Sequence, residues 1–227
     1  MTMPFYVSPE QVMKDRAEYA RKNIARGRDL VALECEPGIV IVADNPSRTL
    51  SKTAEIYDRI AFAAVGKYNE FQMLKTAGVR HADVKGYSYS REDVSAKELA
   101  YAYAQTLGTV FTHEMKPYEV ELLVAEVSAE PDGDNEMYRI FYDGVVIDEE
   151  RFSVLGGHSD AISTQLEEQF RDNMSLADAV RLGAKVLGED DEPLGADRLE
   201  VALLDRSRTR RCFRRVKGPE LEELFNS

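Results

Sequence analysis

Two runs of this chain, GIVIVAD (38–44) and IAFAAVG (60–66), are apolar at nearly every position. A strand with one face in water alternates apolar and polar residues, whereas a strand that is apolar throughout is covered on both faces. Each run follows a shorter apolar partner across a tight polar turn, Glu36-Pro37-Gly38 in the first case and Asp58-Arg59 in the second. The pattern predicts strands over 30–34, 39–43, 54–57 and 60–65, arranged as antiparallel hairpins that lie inside a layered structure.

The rest of the chain supplies the layers. Ser8-Pro9-Glu10-Gln11 is a helix start, with Ser8 able to cap free N–H groups, Pro9 at the first helical position and Gln11 completing a capping box. Val12, Met13, Ala17, Ala20 and Ile24 fall on one face of that helix, and Gly27 is its stop. After the first four strands come two helices, 68–84 with Gly78 as a weak point and another opened by the capping box Ser95-Ala96-Lys97-Glu98. Strands over 119–127, 137–142, 144–147 and 152–155 follow, with hairpin signals at Pro131-Asp132-Gly133 and Asp143-Gly144. A second helix pair (159–171 and 176–187), two strands (197–205 and 209–216) and a helical turn (219–225) complete the order. Hairpins and consecutive helix pairs argue against a parallel βαβ sheet. The predicted fold is α+β: a four-layer helix–sheet–sheet–helix sandwich formed by residues 9–227, with the extra N-terminal helix and a mobile tail, 1–8, ahead of it.

Charge narrows the function classes. With 29 Lys and Arg against 41 Asp and Glu, the net charge is −12 and the pI near 4.8, so the chain repels phosphate backbones and no nucleic-acid partner is expected. No apolar run approaches the ~20 residues that span a bilayer, and the expected location is the cytoplasm, without a membrane partner. Cys35 and Cys212 lie far apart in apolar strand-like runs, which predicts buried free thiols.

Motifs of catalysis and cofactor binding are missing: the sequence contains no G-x-S-x-G, no phosphate loop, no H-E-x-x-H and no C-x-x-C. No cofactor, metal ion or catalytic residue is therefore assigned. His81, His113 and His158 are scattered, and Gly156-Gly157 before a helix is explained by a tight turn. Seven basic residues crowd the last strand pair (Arg206, Arg208, Arg210, Arg211, Arg214, Arg215, Lys217), where a solvated strand or a protected sheet edge accounts for them. Lys52 precedes one apolar strand and Gly66 closes the next. Adjacent strands would bring an ammonium and a backbone N–H toward one carboxylate.

Several segments together are similar to one family. PFYVSPEQVMKDRAEYARKNIARG, EIYDRIAFAAVGKYNEF, LAYAYAQTLGTVFT and KPYEVELLVAEV resemble the α-type subunits of the 20S proteasome of the actinobacterial kind, with weaker likeness through the YDG turn and FSVLGG. The resemblance implies the four-layer fold of N-terminal-nucleophile hydrolases, in which an N-terminal Thr uses its own amine as base. Counting back from Pro37-Gly38 and Asp44 puts the nucleophile's place on about Arg28, an always protonated side chain that cannot attack a carbonyl.

The resemblance thus implies a non-catalytic outer-ring subunit, one of seven α subunits in a ring that stacks on rings of catalytic β subunits. Met3, Pro4, Phe5, Tyr6, Val7 and Ser8 would belong to the segment that closes the axial pore. The C-terminal tails of a ring-shaped ATPase, or of another activator, would dock at Lys52 and Gly66, with Lys67 adding positive charge. Lys67-Tyr68-Asn69 departs from the small apolar residues that follow the glycine in archaeal relatives. Two other readings remain compatible with the pattern: an active hydrolase of the same fold, such as a β-type subunit, and a self-contained adaptor protein.

Overall fold

The computed structural model describes residues 8–130, 133–188 and 192–226. Residues 1–7, which carry Met3 to Val7 of the expected gate, and Pro131-Asp132 of one hairpin signal lie outside the described residues. Helix α1 (Pro9–Ile24) begins where Ser8 Oγ accepts the Gln11 N–H at 3.2 Å. The expected capping box is half made, because the Gln11 amide donates onward to Asp15 at 2.6 Å.

Strands β1 (Leu30–Cys35), β2 (Gly38–Asp44), β3 (Thr53–Tyr57) and β4 (Ile60–Gly66) follow. Helices α2 (Tyr68–Ser88) and α3 (Ala96–His113) come next. Then run β5 (Val120–Glu126), β6 (Glu136–Ile140), β7 (Val146–Asp148) and β8 (Phe152–Leu155). Helices α4 (Ser159–Gln169) and α5 (Leu176–Val186), strands β9 (Leu199–Asp205) and β10 (Phe213–Val216), and helix α6 (Pro219–Asn226) close the order.

Two antiparallel five-stranded sheets result, β10-β9-β2-β1-β8 and β3-β4-β5-β6-β7. The sheets cut across the sequence blocks. The first four strands divide between them, β1 and β2 in one and β3 and β4 in the other. The period of two explains how continuous apolar runs are used. Leu30 and Ala32 point between the sheets with Ala61, Ala63 and Val65, while Val31 and Leu33 face α5, and Phe62 and Ala64 face α2 and α3. The described core accordingly falls into three clusters, one for each contact in a helix–sheet–sheet–helix stack.

The structure adjusts several boundaries. Helix α2 passes through Gly78 to Ser88, because the glycine is a notch for the Tyr103 hydroxyl, where a Cβ would overlap it. The last strand begins at Phe213, not 209, since the backbone turns at Arg211 with φ +51°. Helix α1 buries Ala20 and Ile24 against the open end of the inter-sheet core, but Val12 and Met13, on the same predicted face, are exposed because the first half of the helix overhangs the sandwich. Cys35 and Cys212 are buried and free, and burial pushes the Cys35 thiol up to about 12.

Candidate functional site

Everything assigned to activator docking gathers at the end of the sheets nearest α1. Pairing of β3 with β4 places Lys52 beside the end of β4, where the Ala64 N–H donates to the Lys52 carbonyl at 3.1 Å. Gly66, the last residue of β4, has φ +112°, and a Cβ there would overlap the Glu119 carbonyl oxygen; only glycine fits. The link between α1 and β1 lies across both residues. A Cβ on Gly27 would come within 3.3 Å of the Gly66 nitrogen, and the Lys52 ammonium donates to the Arg28 carbonyl. Lys52 and Gly66 therefore converge on the same two-residue stretch, Gly27-Arg28.

Arg28 occupies the head of the first sheet. Its guanidinium reaches Asp44 Oδ2 at 2.8 Å, and Arg198 reaches the same oxygen at 2.7 Å from the other side. Its amide nitrogen follows the whole of α1, so this strand does not start with an amine. A guanidinium tied to a carboxylate has no nucleophilic lone pair to offer. Asp44 is 8% exposed and engaged by two arginines.

Lys52 is partly buried, and burial pushes its ammonium down to about 8, against the opposing pull of Asp44, Asp29 and Glu200. Glu200 on β9 meets the same segment from the other sheet. Burial alone would raise its carboxyl, yet hydrogen bonds from Thr53, the Lys52 N–H, Asn45 and Arg215 hold it below the usual carboxylate range. The sequence did carry a signal for this residue: Glu200 is the acid inside the otherwise apolar LEVALL run, a placement that asks for partners.

Lys67 behaves differently from Lys52. Its ammonium lies 3.5 Å from Glu70 and 3.7 Å from Glu119, and Lys116 bridges the same two carboxylates at 2.7 and 2.5 Å. Glu70 also accepts the Glu119 N–H at 2.7 Å, and Tyr19 of α1 donates to Glu119 at 3.3 Å. The positive charge expected from Lys67 is thus directed into a cluster that ties α1, the start of α2 and the entry to β5 together. Glu70, Lys116 and Glu119 were not singled out from the sequence because Glu70 lies 46 and 49 residues from the other two, and the i,i+3 pair Lys116–Glu119 alone marks no cluster.

Other sequence candidates resolve into structure. At the N-terminus of α4 the protein's own carboxylates meet the free N–H groups: Glu121 accepts the Gly156 N–H at 3.0 Å, and Asp29 accepts the His158 N–H at 3.3 Å and meets His158 Nδ1 at 2.7 Å. Burial raises the Glu121 carboxyl despite Arg139 at 2.5 Å. His113 rests on Thr109 and Thr112 at the end of α3. The basic cluster is largely neutralised in place, with Arg211 on Glu55, Arg214 on Glu220 and Arg215 on Glu200, and β10 is an edge strand, as edge protection requires.

A second surface stands out on the far side of the second sheet. Helices α2 and α3 frame a groove of about 980 Å3 whose lining includes Met73, Arg80, His81, Val84, Tyr89 and Glu98. Met73, Val84, Tyr87, Tyr89 and Tyr101 are all more than half exposed on these helices or at their ends.

Sequence comparison fits this geometry. The proteasome subunit family matches residues 24–204, which run from the end of α1 to the last residues of β9. The chain belongs to the proteasome family. Its curated relatives include the proteasome subunit alpha of Thermomonospora curvata, 58% identical over 99% of this chain and 98% of the relative. That of Kineococcus radiotolerans is 56% identical over 99% and 98%. The corresponding protein of Thermobifida fusca is 55% identical over 99% and 91%. The proteasome fold expected from the resemblance, a four-layer sandwich with an added N-terminal helix, is the fold observed.

Proposed function

We propose that this proteasome subunit is the α-type, outer-ring member of the particle. It cuts no peptide bond itself, but builds the end ring, controls entry to the chamber and receives an activator. One observation carries the reading. At the head of the opening strand, where this fold's chemistry needs a free amine on a hydroxyl-bearing first residue, stands Arg28, preceded by a helix and bound to Asp44.

Each remaining part of the role has a surface suited to it. The apolar groove of α2 and α3 fits a partner ring of catalytic β subunits, since contiguous exposed apolar side chains mark interfaces. The overhanging half of α1, with Val12 and Met13 exposed, fits a neighbouring α subunit in a seven-membered ring. We assign the gate to residues 1–8, which bring the apolar Met3, Phe5, Tyr6 and Val7, the stiff Pro4, and Ser8, the cap of α1. The closed contacts of so short a segment are worth only a few kcal/mol, so binding elsewhere on the ring can shift it.

Lys52 receives the C-terminal carboxylate of a ring-shaped ATPase. An ammonium has three N–H groups, and the Arg28 carbonyl takes one of them. Gly66 allows close approach at the neighbouring position, and Lys67 lends charge from behind its own ion pairs. Assembly and work take place in the cytoplasm.

The test uses the particle co-expressed with its β partner. Deleting residues 2–8 should speed hydrolysis of short peptides, and Lys52→Ala should weaken ATPase-tail binding by about 1.5–3 kcal/mol, one charge-assisted carboxylate contact. A chain that stays monomeric beside its β partner, or that itself takes up a threonine-directed covalent probe, would overturn the assignment.

A further inference from the structure

Glu200 makes the densest set of polar contacts near Lys52. Its Oε1 accepts from the Thr53 N–H at 3.0 Å, the Thr53 hydroxyl at 2.6 Å and Arg215 Nη1 at 2.7 Å. Its Oε2 accepts from the Lys52 N–H at 2.8 Å and Asn45 Nδ2 at 2.6 Å. Arg215 closes the far side by donating to the Thr53 carbonyl at 2.7 Å, and Asn45 also donates to the Leu50 carbonyl at 2.7 Å. A carboxylate on one sheet thus grips the main chain at the head of the other sheet, and also closes the loop that leads into it.

This geometry fixes Lys52 at both ends. The Glu200 carboxylate sets its main chain, and the Arg28 carbonyl receives its ammonium. We propose that Glu200 is a positioning residue for the tail-docking site, holding the Lys52 main chain where the ammonium can be presented to an incoming carboxylate. The inference rests on the reading of Lys52 as the carboxylate receptor. Glu200 reaches Lys52 by a second route as well. The charged groups that act on the ammonium are Asp44, Asp29 and Glu200, which favour its charged form, and Arg28, which opposes it. Removing the Glu200 charge should leave Lys52 neutral at a lower pH.

Four of the five contacts come from N–H groups and the fifth from the Thr53 hydroxyl, which also accepts from Arg215 at 3.1 Å, so an amide at position 200 is a poor replacement for the carboxylate. Whichever way the amide turns, its NH2 faces at least two N–H or O–H groups.

The experiment measures binding of a short fluorescent peptide carrying the ATPase's C-terminal sequence to assembled α/β particles. The peptide is used both with a free C-terminal carboxylate and as its amide. Glu200→Gln and Thr53→Val, which keeps volume while deleting one bond to the carboxylate, should each bind the free acid about tenfold more weakly and the amide unchanged. In wild type, binding of the free acid should fall as pH rises through about 8. That limit should move to lower pH in Glu200→Gln but not in Thr53→Val.

Equal losses for acid and amide would reduce Glu200 to a structural pin, and wild-type affinity with an unmoved pH limit would remove it from the site. Should Glu200→Gln fail to assemble, Thr53→Val decides: wild-type affinity in that variant overturns the inference. Lys52→Ala separates the two readings. If it keeps the preference for free acid, the docking site itself is lost; if it abolishes that preference while Glu200→Gln leaves it at the wild-type value, only the positioning role falls.

Discussion

The two helical layers cover sheets of equal strand number and finish them differently. On the first sheet, α4 and α5 pack Ile162, Leu166, Val180 and Val186 onto the strands, and α6 returns to add Leu221. Among the described residues, no large apolar side chain of α4, α5 or α6 is exposed. On the second sheet, α2 and α3 leave Met73, Val84, Tyr87, Tyr89 and Tyr101 in solvent.

The cause lies in which residues α2 turns inward. Gly78 and Gly86 are notches that admit the hydroxyl ends of Tyr103 and Tyr57, and Ala82 lies buried between them. Phe71 and Leu74 fill the first part of the α2 interface, but beyond them the bulk comes from α3 and β3, and Val84 and Tyr87 face outward. One layer is completed by its own chain, and the other leaves apolar side chains in solvent, as the proposed docking of a β ring requires.

The strongest way to break this comparison is to charge the open layer. Val84→Asp combined with Tyr89→Asp should abolish co-assembly with the β subunit, seen by light scattering. The same pair should change the unfolding free energy of the isolated chain by less than about 0.5 kcal/mol, as exposed sites do. Assembly of the double variant at wild-type mass would deny the groove its role.

The sealed layer should answer in the opposite sense. Leu166 is fully buried, and Leu166→Ala is expected to cost about 2–5 kcal/mol in denaturant unfolding. A cost below 1 kcal/mol (of order RT) would mean that this layer is not the tightly packed one.

A smaller change probes the glycine notch. The Tyr103 hydroxyl is buried and has no hydrogen-bond partner among the described residues. Tyr103→Phe keeps the ring against Phe62 and should raise stability by about 1 kcal/mol. A loss of stability would show that the hydroxyl is satisfied in the notch.

The smallest effect belongs to the rim of the groove, where Lys85 pairs with a half-exposed Glu98. Glu98→Gln should cost about 0.5 kcal/mol or less, and the difference should vanish at high salt.

Legibility followed the range of the interaction. Strand runs such as GIVIVAD could be read as covered on both faces because burial on two sides leaves a one-dimensional trace, and every residue of β2 is buried. Helix starts were equally readable, since Ser8, Ser95 and Ser175 each cap an N–H three residues on. Capping boxes were read too generously: Glu98 turns to Lys85 on the neighbouring helix, a competitor that local sequence does not reveal. Lys52 and Gly66 were marked by their places at the ends of adjacent apolar strands, and family likeness gave them an activator tail to receive. Glu200, 148 residues from Lys52, carried only the weak mark of an acid in an apolar strand.

By itself, the sequence determined the alternation of hairpins and helix pairs and the four layers, whereas the reading of Arg28 as standing at a nucleophile's place came from family likeness. The alternation and the layers follow from side-chain period, capping and residue chemistry, which act over a few neighbouring positions. Tertiary structure alone decided that the first four strands part into two sheets, that Lys67 is drawn into carboxylates while Lys52 holds the Arg28 carbonyl, and that one helical layer is sealed while the other stays open. Those outcomes depend on which distant surfaces meet, and hydrogen-bond partners and burial are properties of the meeting rather than of either segment.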